Sequence, residues 1–220
     1  YRVLPYCWRD ETPLSNHELR MDDDVYKMRQ DPSVTVTFPL VGDEAVALGL
    51  QDVRALAWTT TPWTLPTNLA LAVGPDIEYV VVPAGHNGVA EGASGEAFLL
   101  AEALLGGYAK DLGYDDVDDA RAAVTRTVLG AELSGVRYLP PFDYYTDTET
   151  WGTERAWRIL VDGYVTVADG TGIVHQAPAY GEDDKRLSDA AGIPTILSLD
   201  DGGRFLPAVR DVAGELWLDA

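Results

Sequence analysis

The stretch Ala57-Trp58-Thr59-Thr60-Thr61-Pro62-Trp63-Thr64-Leu65-Pro66-Thr67-Asn68 constrains the fold more than any other part of the chain. An apolar run from Arg54 leads into three consecutive threonines and then into Pro62 and Pro66. Each proline restricts φ and removes a backbone donor, so a regular central strand cannot continue through this stretch. Successive extended residues face opposite sides of a strand. On that alternation Thr59 turns away to packing while neighbouring hydroxyls face a site. The segment therefore reads as a strand ending in a rigid, hydroxyl-rich corner beside the Trp63 ring. Taken alone, such a corner is a strand end with a turn.

A second segment changes the reading. Asp169-Gly170-Thr171-Gly172-Ile173-Val174-His175-Gln176-Ala177-Pro178-Ala179-Tyr180-Gly181-Glu182-Asp183-Asp184 is equally dense in special residues. Together, and in this order, the two segments resemble the inserted editing domain of the isoleucyl-tRNA synthetases, class I aminoacyl-tRNA synthetases. The Thr-Thr-Thr-Pro-Trp-Thr-Leu-Pro form looks like the isoleucine type. In the valine and leucine relatives an Arg usually stands where Thr61 does, and a carboxylate replaces Trp63. The resemblance runs from Tyr6-Cys7-Trp8-Arg9 to Gly214-Glu215. It implies an α+β fold, a small β-barrel-like editing domain decorated with a few helices.

Composition is compatible with this. A chain of 220 residues, 46% hydrophobic, can bury one ordinary core. No run is long enough for a membrane span, and no signal peptide is visible. A single cysteine excludes an internal disulfide framework and fits a reducing compartment, the cytoplasm by default. Thirty-six acidic against sixteen basic residues give a net charge of −20, which repels phosphates. Acid clusters such as Asp22-Asp23-Asp24 lack ligand spacing and read as solvated surface. Only the terminal nucleotides of a tRNA are expected to enter, with its body held elsewhere. Residues 1–220 read as one domain excised from a longer synthetase, with 1–32 and 205–220 as connecting arms and the fragment itself monomeric.

Strand patterns are expected at Val34–Phe38, closed by Pro39, at Arg54–Thr61, at Ile77–Val82, at Ile159–Val167 and at Ile173–His175. Ser94 reads as the N-cap of a helix over Gly95–Lys110, with Leu100, Leu104 and Tyr108 on one face. Shorter helices are expected over Asp118–Arg126 and Asp183–Ala191, the latter stopped by Gly192 and Pro194.

The resemblance implies hydrolysis of an aminoacyl ester on the 3′ end of tRNA(Ile), with valine removed and isoleucine spared, and with valyl-adenylate as a further substrate. An ester is already activated, so a positioned water, donors for the oxyanion and an ammonium anchor suffice. Asp184 is implied as that anchor. Thr60 and Thr61 supply hydroxyls near the ester and the ribose. His175 is implied as a pocket wall that limits side-chain size, with a general-base role second. Trp63 lies against the terminal adenosine, or lines the pocket, or is simply core. Thr64 and Asn68 sit at the rim, and Asn68 can equally bond its own turn. Thr59 and Asp183 complete the candidate set, although Asp183 also reads as a plain helix-start acid. Gly170 and Gly172 form a turn that aims His175; they lack the pattern of a phosphate loop. No cofactor is expected. Relatives carry a Cys-x-x-Cys knuckle where this chain has Cys7-Trp8-Arg9-Asp10, so no zinc is expected either. A non-catalytic module binding tRNA ends or a protein, and a free-standing deacylase, are the alternatives.

Overall fold

The computed structural model describes residues 3–15, 17–19, 28, 30, 32–86 and 96–218. Ser94 and the Asp22–Asp24 cluster lie outside them. Strands β1 (Tyr6–Cys7) and β2 (Thr12–Pro13) form a separate antiparallel pair. The main sheet contains β3 (Val34–Val41), β4 (Val53–Thr59), β6 (Glu78–Pro83), β7 (Ala97–Ala101), β8 (Arg126–Leu129) and β9 (Arg137–Tyr138). Their spatial order is β8-β6-β7-β4-β3-β9, with β4 and β7 parallel and the other neighbours antiparallel. In a second sheet, β5 (Ala70–Val73) lies between β10 (Ile159–Val161), to which it is parallel, and β11 (Ile173–Gln176), to which it is antiparallel. The large sheet curls into a half-barrel, and β11 packs across β4. Helices α1 (Asp43–Ala47), α2 (Leu105–Tyr108), α3 (Val117–Ala122), α4 (Thr148–Trp151) and α5 (Glu182–Ala191) decorate it.

The centre of the large sheet is buried on both faces. Tyr79, Val81, Leu99 and Ala101 face the principal core, with Phe38, Leu71 and Ile173. Val80, Val82, Phe98 and Leu100 face a second cluster closed by Leu105, Leu112 and Ala120. Each fully buried large side chain contributes about 1.5–3 kcal/mol, so this two-sided burial anchors the strands that carry the site.

The same burial explains the main departure from the sequence expectation. Residues 96–110 are not one helix: 97–101 is strand β7, 102–104 a short 3-10 turn, and only Leu105–Tyr108 is α-helical. A strand covered on both sides loses its polar alternation, so apolar spacing there fits a helix equally well. Pro39 does not end β3; it pairs with Arg54, and its carbonyl accepts from Leu139 N. A missing N–H is tolerated where the ladder does not need it. Helix α3 stops at Ala122 and Arg126 already opens β8, while β10 ends at Val161 before the Gly163 turn. Helix α5 runs as expected, closed by Gly192 in the left-handed conformation.

Candidate active site

Strand β4 ends at Thr59, Thr60 bends, and Thr61 leads into a 3-10 helix over Pro62–Thr67. Pro62 takes a first-turn position, where its missing donor costs nothing. The corner is tied from within. Thr61 N–H donates to Thr59 Oγ1 at 3.0 Å, the two hydroxyl oxygens lie 3.2 Å apart, and Thr64 N–H donates to Thr61 O at 3.0 Å. Thr59 therefore does not turn away: strand alternation stops at the bend, and its buried side chain joins the lining of the cavity. Thr60 is exposed, and among the described residues its hydroxyl makes no hydrogen bond within the chain.

His175 reaches the corner from β11, whose ladder with β5 places it opposite Leu71. Its ring is 7% exposed and held at both nitrogens. Thr64 Oγ1 lies 2.9 Å from Nε2, and Asn68 Nδ2 lies 2.8 Å from Nδ1. Burial pushes its pKa down to about 4, so the ring is neutral near pH 7. Thr64 and Asn68 are thus not at the rim; both are buried and hold the imidazole. Asn68 Nδ2 also donates to Ala70 O at 3.1 Å, which joins the two readings of this residue.

The turn before β11 requires glycine. Gly170 (φ 71°) lies against the Trp58 ring, and a Cβ on Gly172 (φ 75°) would stand 2.5 Å from Ala101 Cβ. Thr171 Oγ1 donates to Leu56 O at 2.5 Å, tying the turn to β4. We expect Gly172→Ala to cost roughly 2–4 kcal/mol, since left-handed strain and overpacking add. Urea unfolding checks this; a loss below about 1 kcal/mol would show that the turn tolerates side chains.

Asp184 sits in the first turn of α5 and accepts a hydrogen bond from Ala177 N–H at 2.8 Å. A helix N-terminus favours a carboxylate, yet burial dominates and pushes its pKa up to about 6. Among the described residues no basic side chain pairs with it. Arg186 is engaged with Asp162 and Asp183 instead. Asp184 is therefore a partly desolvated carboxylate that faces a cavity without a cation of its own.

That cavity has a volume of about 410 Å³ and brings together Thr59, Thr60, Thr61, Thr64, His175 and Asp184. Such a volume suits a small ligand. Three candidates lie outside its lining, Asn68 behind the His175 ring and two others. Asp183 is exposed and paired with Arg186. Trp63 contacts the Tyr180 and Trp217 rings, both at 5.0 Å, and lines a neighbouring apolar hollow that shares Thr60 and Thr61. Sequence reading missed Tyr164 and Tyr180, which complete the wall near Asp184. Burial, then the Asp184 charge, holds the Tyr164 phenol well above its ordinary pKa, so it stays neutral. Tyr180 stands within the second dense segment without being singled out there, whereas Tyr164 belongs to neither segment and reaches the wall only through packing. Among the described residues no group of His, Cys, Asp and Glu is arranged to hold a metal ion, and Cys7 Sγ donates to Asp10 Oδ2 at 3.2 Å.

The isoleucine--tRNA ligase of Leifsonia xyli subsp. xyli is 71% identical over 97% of this chain, a match covering 20% of that protein. The chain belongs to the isoleucine--tRNA ligase family. The isoleucine--tRNA ligases of Tropheryma whipplei and Mycobacterium tuberculosis are each 54% identical over the whole chain. The chain spans about one fifth of the length of these family members. No protein-family model matches it. Among solved structures, the P. knowlesi cytosolic leucyl-tRNA synthetase editing domain superposes with a TM-score of 0.53 at 16% identity, covering 80% of this chain and 74% of that one. The crystal structure of GlLeuRS-CP1 gives 0.50 at 14% identity, covering 74% of this chain and 65% of that one. At these identities the likeness concerns the fold, which is that of an editing domain. Among the described residues no helix is long and apolar enough to cross a membrane.

Proposed function

We propose that this module edits within a longer isoleucine--tRNA ligase, hydrolysing the ester of tRNA(Ile) misacylated with valine and accepting valyl-adenylate as well. The reading is carried by one observation: a carboxylate with no basic partner and a threonine hydroxyl with no bond, both among the described residues, line one small cavity with a neutral buried imidazole. In the proposed reaction, water adds to the ester carbonyl carbon. The bond from that carbon to the ribose oxygen breaks, and a proton passes to the leaving oxygen. Asp184 holds the α-ammonium by a charge-assisted hydrogen bond. Thr60, with Thr61, orients the water and the terminal ribose. His175 closes the side-chain end of the pocket, while Thr59 shapes the corner and Thr64 and Asn68 support the ring. Trp63 and Asp183 act outside the cavity, as packing and as a helix-start charge.

The need for a second site follows from magnitude. A methylene is worth only about 1–3 kcal/mol in an apolar pocket, a limit for which this enzyme family is the standard illustration. A site that admits the smaller product and hydrolyses it completes the selection. The net charge of −20 fits a module that receives only the 3′ end of the tRNA, the remaining domains of the parent enzyme holding its body. We place it in the cytoplasm, as a monomeric module of that enzyme.

The test is hydrolysis of Val-tRNA(Ile) and Ile-tRNA(Ile), with Thr60→Val and Thr60→Ser beside the parent sequence. Valine should be released selectively. Thr60→Val should lose about 10²–10³-fold in rate, the scale of one removed positioning donor, and Thr60→Ser should recover most of it. Full activity in Thr60→Val would remove the hydroxyl from the mechanism. No valine release by the intact parent enzyme would favour a module that only binds.

A further inference from the structure

Behind His175 lies a chain of buried polar groups in which each proton has one acceptor. Asn68 is its centre. Its Nδ2 donates to Ala70 O at 3.1 Å and to His175 Nδ1 at 2.8 Å, and its Oδ1 accepts from Tyr138 Oη at 2.7 Å. Trp157 Nε1 donates to the Asn68 carbonyl at 3.1 Å, which holds the backbone as well. An amide oxygen and nitrogen are assigned by their partners. Ala70 O can only accept, so the amide nitrogen must face it. That choice turns the second amide proton toward His175 Nδ1, which must then be the unprotonated nitrogen. The ring proton is on Nε2 and donates to Thr64 Oγ1 at 2.9 Å. Thr64 in turn donates to Thr61 O at 2.8 Å, inside the corner.

We propose that Tyr138 is a positioning residue for the candidate site: through Asn68 it holds His175 as the Nε2–H tautomer and fixes the ring plane of the pocket wall. The specificity consequence rests on the reading of His175 as that wall. Tyr138 comes from β9, remote in sequence from both motifs, and is 2% exposed. It is absent from the lining of the cavity, and its hydroxyl meets the site through Asn68. Its hydroxyl gives Asn68 Oδ1 an acceptor role that opposes rotation of the amide. Without it, Oδ1 is left buried and unpaired, and only the Ala70 O contact still holds the amide against a shift away from the ring. The Nδ1 lone pair is also consumed by Asn68, so the ring works as a shaped surface and not as a proton acceptor for water.

The experiment is ¹⁵N–¹H correlation of the histidine ring nitrogens in this chain, with His17 and His86 as internal references. Variants are Tyr138→Phe and Asn68→Asp, each checked for cooperative melting. The parent sequence should show a single Nε2–H form for His175. Tyr138→Phe keeps the edge contact with Phe38, whose ring lies 5.4 Å away, and should give a mixture of tautomers. It should also lower valine-over-isoleucine discrimination roughly tenfold, the scale of one lost buried hydrogen bond. Asn68→Asp offers only acceptors and should reverse the tautomer to Nδ1–H. An unchanged single Nε2–H form in folded Tyr138→Phe overturns the proposal, as does an Nδ1–H form in the parent. The ring signals are independent of hydrolysis. An enzyme inactive on every ester would overturn the functional reading while the tautomer result still decides the role of Tyr138.

Discussion

Asp184→Asn is expected to abolish valine release, with a loss of at least about 10³-fold in kcat/KM, because a neutral amide cannot replace a desolvated charge opposite an ammonium. The parent enzyme should show a bell-shaped pH profile. Its acidic limb follows Asp184, which must be ionised and has a pKa of about 6. Its alkaline limb follows the substrate α-amino group, which must be protonated and titrates near pH 8. His175 does not contribute an acidic limb near neutrality, since its pKa is about 4. An activity flat from about pH 5 to about pH 7 would remove Asp184 from the anchoring role.

The same substitution should stabilise the fold. The folded pKa of Asp184 is raised from 3.8 to about 6. The folded state therefore binds more protons than the unfolded state in that window, and stability falls as pH rises through it. Ionising the buried group costs about 2–3 kcal/mol at neutral pH. Asp184→Asn keeps an oxygen for the Ala177 N–H and should gain about 1–3 kcal/mol above pH 7, with the gain gone below about pH 4. His175 acts in the opposite sense. Its folded pKa is lowered from 6.5 to about 4, so its contribution to stability is present above 6.5 and lost as pH falls toward 4. The two slopes largely offset in the parent sequence. Urea unfolding of Asp184→Asn across about pH 4 to 7 should therefore show stability rising more steeply with pH than in the parent. A variant less stable than the parent at about pH 7 would mean that the carboxylate is structural and not a strained functional group.

His175→Ala is expected to let isoleucine into the cavity. Valine and isoleucine differ by one methylene, and a rigid wall rejects the larger by steric overlap. Hydrolysis of Ile-tRNA(Ile) should rise about 10–100-fold, bringing discrimination close to unity. Valine release should survive, since the anchor and the corner remain. The substitution also strips Asn68 and Thr64 of their buried partner, at a cost of about 2–4 kcal/mol in stability. The assay is thus read below the variant's melting transition. A folded variant that still spares isoleucine would put the size limit elsewhere in the wall, with Tyr164 and Tyr180 as the next side chains to change. A variant that loses valine release as completely as Asp184→Asn would give the ring a role in the reaction itself.

The sequence by itself determined the local, covalently imposed features. Pro62 and Pro66 set the 3-10 turn that follows β4, Gly170 and Gly172 adopt positive φ in the turn, and Gly192 closes α5. The two dense motifs carried the family resemblance, and it was that resemblance that named the candidates Thr60, Thr61, His175 and Asp184. Tertiary structure decided what local rules leave open. Strand β7 was hidden because both its faces are buried, which removes the alternation that marks a strand. Thr64 and Asn68 proved to be the support of a histidine ring because β11 pairs with β5, a contact between segments far apart in the chain. Trp63 and Asp183 lie outside the cavity because an aromatic cluster and Arg186 take them up. Tyr138 and Tyr164 reach the site only through long-range packing. The pKa values of Asp184 and His175 follow from burial, which is a property of the assembled core and not of any short stretch of sequence.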